Sequence, residues 1–178
     1  MPDGDYPLPN NSDDMSKTLY LVRHAKSSWK DTSLVDYDRP LNKRGKRDAP
    51  KMGKRLATKN IRPDLIISSP AKRAKLTIEA IAAEIDYAES QIRWKEELYH
   101  ADVKTLLEQI RSVENQNRSL MLVGHNPGLT DLQNYLCQEA IENIVTTGIA
   151  CIQFEVAEWA NVRSGQLQWY DYPKKEEQ

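Results

Sequence analysis

Cysteine is scarce in this chain of 178 residues: there are two, Cys137 and Cys151, with neither CxxC spacing nor ligand partners nearby. That rules out a disulfide-stapled scaffold and a cysteine-based zinc site, and fits two ordinary thiols in a reducing cytoplasm. An excess of charge of one sign is also missing, since 25 Lys and Arg face 26 Asp and Glu for a net charge of −1. Such balance argues against a dedicated nucleic-acid binder or a membrane-surface binder. No apolar run approaches the roughly 20 residues that span a bilayer. No basic stretch followed by an apolar one marks a secretory signal, so the expected location is cytoplasmic. The three histidines have no HxxxH or similar spacing, so no metal is expected. No internal repeat or low-complexity tract appears.

What remains is a chain with 39% hydrophobic residues gathered in short runs, which favours one folded domain over disorder. Residues 1–16 carry Asp3, Asp5, Asp13 and Asp14, three prolines and no lysine or arginine. They read as a disordered leader or an added extension, with Met15 a candidate start of the folded unit. A single domain is expected over 17–173, and 174–178 as a frayed, charged tail.

Strand-like and helix-like segments alternate along that domain. Thr18–Val22 is a short β-prone run, and Asn42 is placed to cap a helix over 43–59. Asp64–Ile67 is a second strand, after which Ser69-Pro70 opens a helix to about Ile85. A helix near 102–115 precedes a third strand, Leu120–Val123, and Asn126-Pro127 starts a helix to about Cys137. Ile149–Val156 and Gln166–Tyr172 read as late antiparallel edge strands with a Ser-Gly turn at 164–165. This alternation predicts an α/β three-layer sandwich, a mainly parallel sheet with helices on both faces. Ligands in such folds bind beyond the carboxyl ends of the strands.

The residues at those ends share one chemistry. The first strand ends in Arg23-His24, the second in Ser68-Ser69 with Arg73 one turn on, and the third in Gly124-His125. A neutral imidazole is a competent nucleophile near neutral pH. Arginine forks match phosphate oxygens, so the set suits phosphoryl transfer without a metal or organic cofactor. Arg23 and Arg73 would neutralise the phosphoryl oxygens, and His125 could donate a further hydrogen bond to them. Asn126, at a helix start whose free amides would favour an anion, and Ser27 are further phosphate-binding candidates. Trp29 suits either the pocket mouth or a cover over the core. The basic run from Lys43 to Arg55 suits either a solvated helix face or a patch for an acidic partner, and His100 reads as an ordinary structural histidine.

Four segments, in order, resemble the histidine phosphatase superfamily, in its SixA-like branch. They are Arg23-His24-Ala25-Lys26-Ser27-Ser28-Trp29, Arg39-Pro40-Leu41-Asn42-Lys43-Arg44-Gly45, Ser68-Ser69-Pro70-Ala71-Lys72-Arg73 and Gly124-His125-Asn126-Pro127-Gly128. Ala25 departs from the glycine that is common in the superfamily. The resemblance implies a phosphoglycerate mutase-like fold and a covalent phosphohistidine intermediate on His24. It also implies hydrolysis of phosphohistidine or a phosphomonoester. Many members use a glutamate as general acid, for which Glu96 and Glu97 are the local carboxylates and Glu97 the one chosen. The implied partner is a phosphorylated protein or a small phosphorylated metabolite. Two rival readings stay open: a small-ester phosphatase or mutase, and a phosphohistidine-binding module of low turnover.

Overall fold

Leu19 and Leu21 alternate with Tyr20 and Val22 along the first strand, β1 (Lys17–Arg23), and both sets are buried, so this strand must be covered on two sides. The computed structural model, which describes residues 15–175, supplies the two covers. Most of the leader assigned to residues 1–16 and the last three residues of the charged tail lie outside the described residues.

The elements run β1, α1 (Lys43–Thr58), β2 (Leu65–Ser68), α2 (Lys72–Glu84), β3 (Arg93–Trp94), α3 (Val103–Arg111), β4 (Ser119–Gly124), α4 (Gly128–Leu136), β5 (Ile149–Phe154) and β6 (Gln166–Asp171). They form one six-stranded sheet in the order β3-β2-β4-β1-β5-β6. The first four strands in that order are parallel to one another, and β5 and β6 are antiparallel additions.

Period-two alternation sorts the core into two layers. Leu19, Leu21, Leu65, Ile67, Leu120 and Leu122 face α3 and α4, meeting Leu106, Ile110, Leu129 and Leu132. Tyr20, Val22, Ile66, Met121 and Val123 face the opposite way, onto Met52 and Leu56 of α1 and Ala74, Ile78 and Ile81 of α2. The expected three-layer α/β sandwich is therefore present. The two late strands differ in place: β5 lies inside the sheet between β1 and β6, so only β6 is an edge. The other edge, β3, is a two-residue exposed strand too short to carry a hydrophobic pattern.

Helix starts follow their caps. The Asn42 side chain accepts from the Gly45 amide at 2.9 Å, as expected for α1, and Asp102 does the same for Thr105 in α3. Helix α2 begins at Lys72, one residue after its Ala71 N-cap, because Ser69-Pro70 is still leaving the sheet. Gly165 does not make a tight β-turn; its amide bonds to the Leu136 carbonyl, fastening the chain before β6 to the end of α4.

Two glycines allow close approaches that shape the site. A Cβ on Gly45 would collide with the Lys26 carbonyl, and one on Gly128 with the Ala101 carbonyl. Helices α1 and α4 thereby press against the segments that follow His24 and His100.

Leu122 sits fully buried in the central strand. Leu122→Ala should cost about 2–5 kcal/mol of stability, a fall in Tm of roughly 5–15 °C for a chain of this length. Calorimetry yielding a change below about 0.5 kcal/mol, the range of ordinary surface substitutions, would contradict this core assignment.

Candidate active site

Parallel pairing places three strand ends side by side. Arg23 is in register with Gly124, and Ser68 with Val123, so the residues just beyond each pair emerge at one edge of the sheet. The antiparallel run of β5 brings the segment before it to the same edge. The Thr147 amide bonds to the carbonyls of Arg23 and His24, both at 3.1 Å.

His24 is nearly buried and its backbone amide donates to Gly124 at 3.2 Å. Its Nδ1 lies 2.8 Å from the Ala25 carbonyl. A carbonyl can only accept, so the proton belongs on Nδ1 and Nε2 keeps a lone pair. The Ala25 amide is in turn held by Thr77 Oγ1 at 2.8 Å. The imidazole is thus oriented from both sides, with Nε2 exposed to the site and 3.4 Å from Arg73 Nε.

His125 lies across from it, the ring centres 5.2 Å apart. Its Nε2 is 2.8 Å from Ser69 Oγ, and that hydroxyl already accepts from the Ala71 amide. A hydroxyl carries two lone pairs besides its proton, so Ser69 Oγ can donate to Nε2 or accept from it, and the contact is compatible with either tautomer. The other ring nitrogen, Nδ1, is buried without a partner, and so is Nε of Arg23, whose Nη1 bonds to the Ile144 carbonyl at 3.0 Å. Buried polar groups in this state cost stability unless something occupies them. Both groups belong to residues expected to bind phosphate.

Burial is the main cause of the histidine pKa values. It drives His24 down to about 4, the Ala25 bond opposing it and the charges of Arg73, Arg23 and Arg39 assisting. Burial likewise takes His125 down to about 2, helped by His24, Arg73 and His100. Both rings are neutral at physiological pH in the free protein. A bound dianion would reverse part of this, since an opposite charge close by favours the protonated form.

The structure adds residues that sequence reasoning missed. Asp36, in a short 3-10 turn between β1 and α1, accepts from Tyr99 Oη at 2.6 Å, Arg73 Nη2 at 2.9 Å and both Nε and Nη2 of Arg39 at 3.1 and 3.0 Å. Partial burial pushes its carboxyl upward, but the bonds from Tyr99, Arg39 and Arg73 outweigh that and hold it well below the usual carboxylate range. His100, read from sequence as structural, belongs here: Nε2 is 3.2 Å from Asp36 Oδ2, and the ring lies 5.7 Å from that of His125. The available signals were Arg39 inside its motif and the third histidine following Tyr99. Neither says that a chain turn folds a carboxylate onto Arg73.

Other expected residues are placed differently. Ser27 is buried, and its hydroxyl accepts from Arg39 Nη1 at 2.8 Å. The Asn126 side chain is spent on structure, donating to Asn143 and Ile144 and accepting from Thr130. Two of the helix-start amides are taken up locally: Leu129 bonds to the His125 carbonyl and Thr130 to Asn126 Oδ1. Glu97 stands exposed on a 3-10 turn, while neighbouring Glu96 accepts from Tyr37 Oη at 2.9 Å. Trp29 is 70% exposed with the Arg39 guanidinium 3.6 Å from its ring centre, which places it at the mouth. Several basic residues of α1 are paired within the chain, Arg44 and Arg47 with Asp48 and Arg55 with Asp171. A cleft of about 390 Å³ opens beside His100, between Asp102 and Pro127.

Comparison with known proteins gives a consistent picture. Residues 19–118 match the histidine phosphatase superfamily (branch 1). An uncharacterized chloroplastic protein of Arabidopsis thaliana is 32% identical over 151 residues, spanning 80% of this chain and 68% of that protein. The SixA structure from Agrobacterium tumefaciens superposes with a TM-score of 0.77 at 29% identity, covering 88% of this chain and 98% of that one. The protein histidine phosphatase SixA in complex with tungstate has the same fold, with a TM-score of 0.77 at 21% identity over 88% of this chain and 97% of that chain.

The depressed histidines give a pH signature. Between about pH 6.5 and the His24 value of about 4, the unfolded chain binds protons that the folded one refuses. Stability therefore falls as pH drops through that window, by up to about 1.4 kcal/mol per pH unit for each histidine. An NMR titration of His24 should find its midpoint near 4, rising when phosphate is added. A midpoint near 6.5 in the free protein would refute the buried, neutral assignment.

Proposed function

The chain belongs to the histidine phosphatase superfamily, in its SixA-like branch, and on that footing we propose that it is a phosphatase using His24 as a covalent nucleophile. The observation that carries the reading is the state of the three groups on one edge. His24 has its proton fixed on Nδ1 and a lone pair on Nε2, while His125 Nδ1 and Arg23 Nε are buried without a partner.

The reaction takes two displacements. His24 Nε2 attacks phosphorus in line, forming the N–P bond as the substrate's bond to phosphorus breaks. The guanidinium groups of Arg23 and Arg73 and the Nδ1–H of His125 bind the equatorial oxygens, where charge concentrates in the transition state. Water then attacks phospho-His24, releasing orthophosphate and restoring the imidazole. Two guanidinium groups, that of Arg73 buried and that of Arg23 partly buried, supply the cationic charge, so no metal is assigned to the step.

The leaving group decides the substrate class. An alkoxide needs an acid to protonate it as it departs. Asp36 is held ionised by its donors and is unsuited to that task, and Glu97 is exposed on its turn. A phosphorylated imidazole needs less, because its departing ring is a weak base that takes a proton on nitrogen. Phosphohistidine is thus the substrate class we favour, presented on a protein at the open mouth beside Trp29 and the His100 cleft. The Agrobacterium tumefaciens protein, 29% identical, is named a "putative phosphohistidine phosphatase SixA", a name that leans to the same class.

His24→Ala should abolish phosphate release. Arg73→Ala should lower kcat/KM by about 10²–10³-fold, the usual loss for one oxyanion donor. EDTA should leave turnover intact, and a phosphohistidine protein should turn over faster than a panel of small phosphate esters. Activity surviving in His24→Ala, or lost in EDTA, would sink the mechanism; preference for an ester would overturn the substrate class alone.

A further inference from the structure

Both terminal nitrogens of Arg73 are engaged in the resting protein by one residue. Its Nη1 donates to the Asp36 carbonyl at 2.7 Å and its Nη2 to Asp36 Oδ2 at 2.9 Å, while its Nε is directed at His24. The group that should grip a phosphoryl dianion thus already holds a carboxylate of this chain. Three other residues complete that carboxylate's surroundings, Arg39 with two donors and Tyr99 and His100 with one each.

We propose that Asp36 is an internal competitor for the phosphoryl group, occupying the Arg73 fork until substrate displaces it and so setting the affinity of the site for phosphate. This rests on the assignment of Arg73 to the phosphoryl pocket. The two partners are unequal in a way that says which moves. The Arg73 side chain is 4% exposed and fixed on α2, whereas that of Asp36 is 41% exposed on a three-residue turn. That turn belongs to a strap over residues 26–41 which is closed at its base, where the Ser28 amide bonds to the Pro40 carbonyl at 2.8 Å and Ser27 bridges to Leu41. Residues 29–35 are all exposed. The base stays in place when the tip swings, so the carboxylate leaves and returns without unfolding anything.

Charge and shape give the exchange its direction. A phosphoryl dianion has more charge and more acceptor oxygens than a carboxylate, so it outcompetes Asp36 at the guanidinium fork. A singly charged anion has no such advantage. Arg39 joins the base to the tip, since its Nε and Nη2 hold Asp36 Oδ1 while its Nη1 stays on Ser27 Oγ at 2.8 Å. Its stacking on Trp29 couples the exchange to an exposed fluorophore.

Calorimetric titration of the full chain with orthophosphate in EDTA tests this. Asp36→Asn should bind phosphate three- to tenfold more tightly than the parent, with the same direction in Asp36→Ser. The KM for a phosphorylated substrate should fall in parallel, while kcat does not rise. Phosphate should change tryptophan fluorescence in the parent, and Trp29→Phe should lose that change. Unchanged or weaker phosphate binding in both Asp36 variants, with circular dichroism and melting showing them folded, would overturn the proposal and make Asp36 a positioning residue for Arg73. Failure of the pocket assignment has a different pattern: the parent itself would not bind phosphate, or Arg73→Ala would bind it equally well.

Discussion

The register of β1 against β4 is the constraint on which the site depends. Arg23 opposes Gly124, and the two histidines follow immediately, so their rings leave adjacent parallel strands at one level. A slip of one residue would exchange the two faces of β1, driving Leu19 and Leu21 into the layer built for Tyr20 and Val22. The hydrophobic core therefore sets the position of the chemistry. Helix α2 is packed onto the same sheet through Ala74, Ile78 and Ile81, and it delivers Arg73 to the strand ends as a consequence.

The second organising fact is electrostatic. Three arginines and three histidines crowd this edge, and in the free protein the burial of His24 and His125 keeps these two rings neutral. The same desolvation that suppresses imidazolium makes a phosphoryl dianion welcome, because buried guanidinium groups attract it with little screening. In the resting state Asp36 serves as the counter-ion. It pairs with Arg39 and Arg73, while Arg23 Nε and His125 Nδ1 stay unpaired.

Much of this was legible in the sequence, for a physical reason. Short apolar runs that are buried on both faces mark the central strands, and the residues ending them fall at the ligand edge of any parallel sheet. That logic found Arg23, His24, Arg73 and His125 without a structure. It did not find β3, since two exposed residues carry no periodicity, and it put β5 at an edge because local pattern does not reveal strand order. Asp36, Tyr99 and His100 were beyond its reach for another reason. They meet through contacts spanning more than 60 positions, made by turns whose path depends on close approaches such as Gly128 against Ala101. Asn126 illustrates the converse. Its place beside His125 suggested a phosphate ligand, yet the side chain ties α4 to the segment before β5.

The central claim is that a bond forms between phosphorus and His24 Nε2. Rapid-quench labelling with a ³²P-phosphorylated substrate, followed by peptide mapping, tests it most directly. The account predicts transient label on the peptide holding His24, stable in alkali and lost in acid as phosphohistidine is, and absent in His24→Ala, where His100 and His125 remain. Turnover with no label at any quench time, or label that survives acid, would contradict a covalent phosphohistidine and point to direct attack by water.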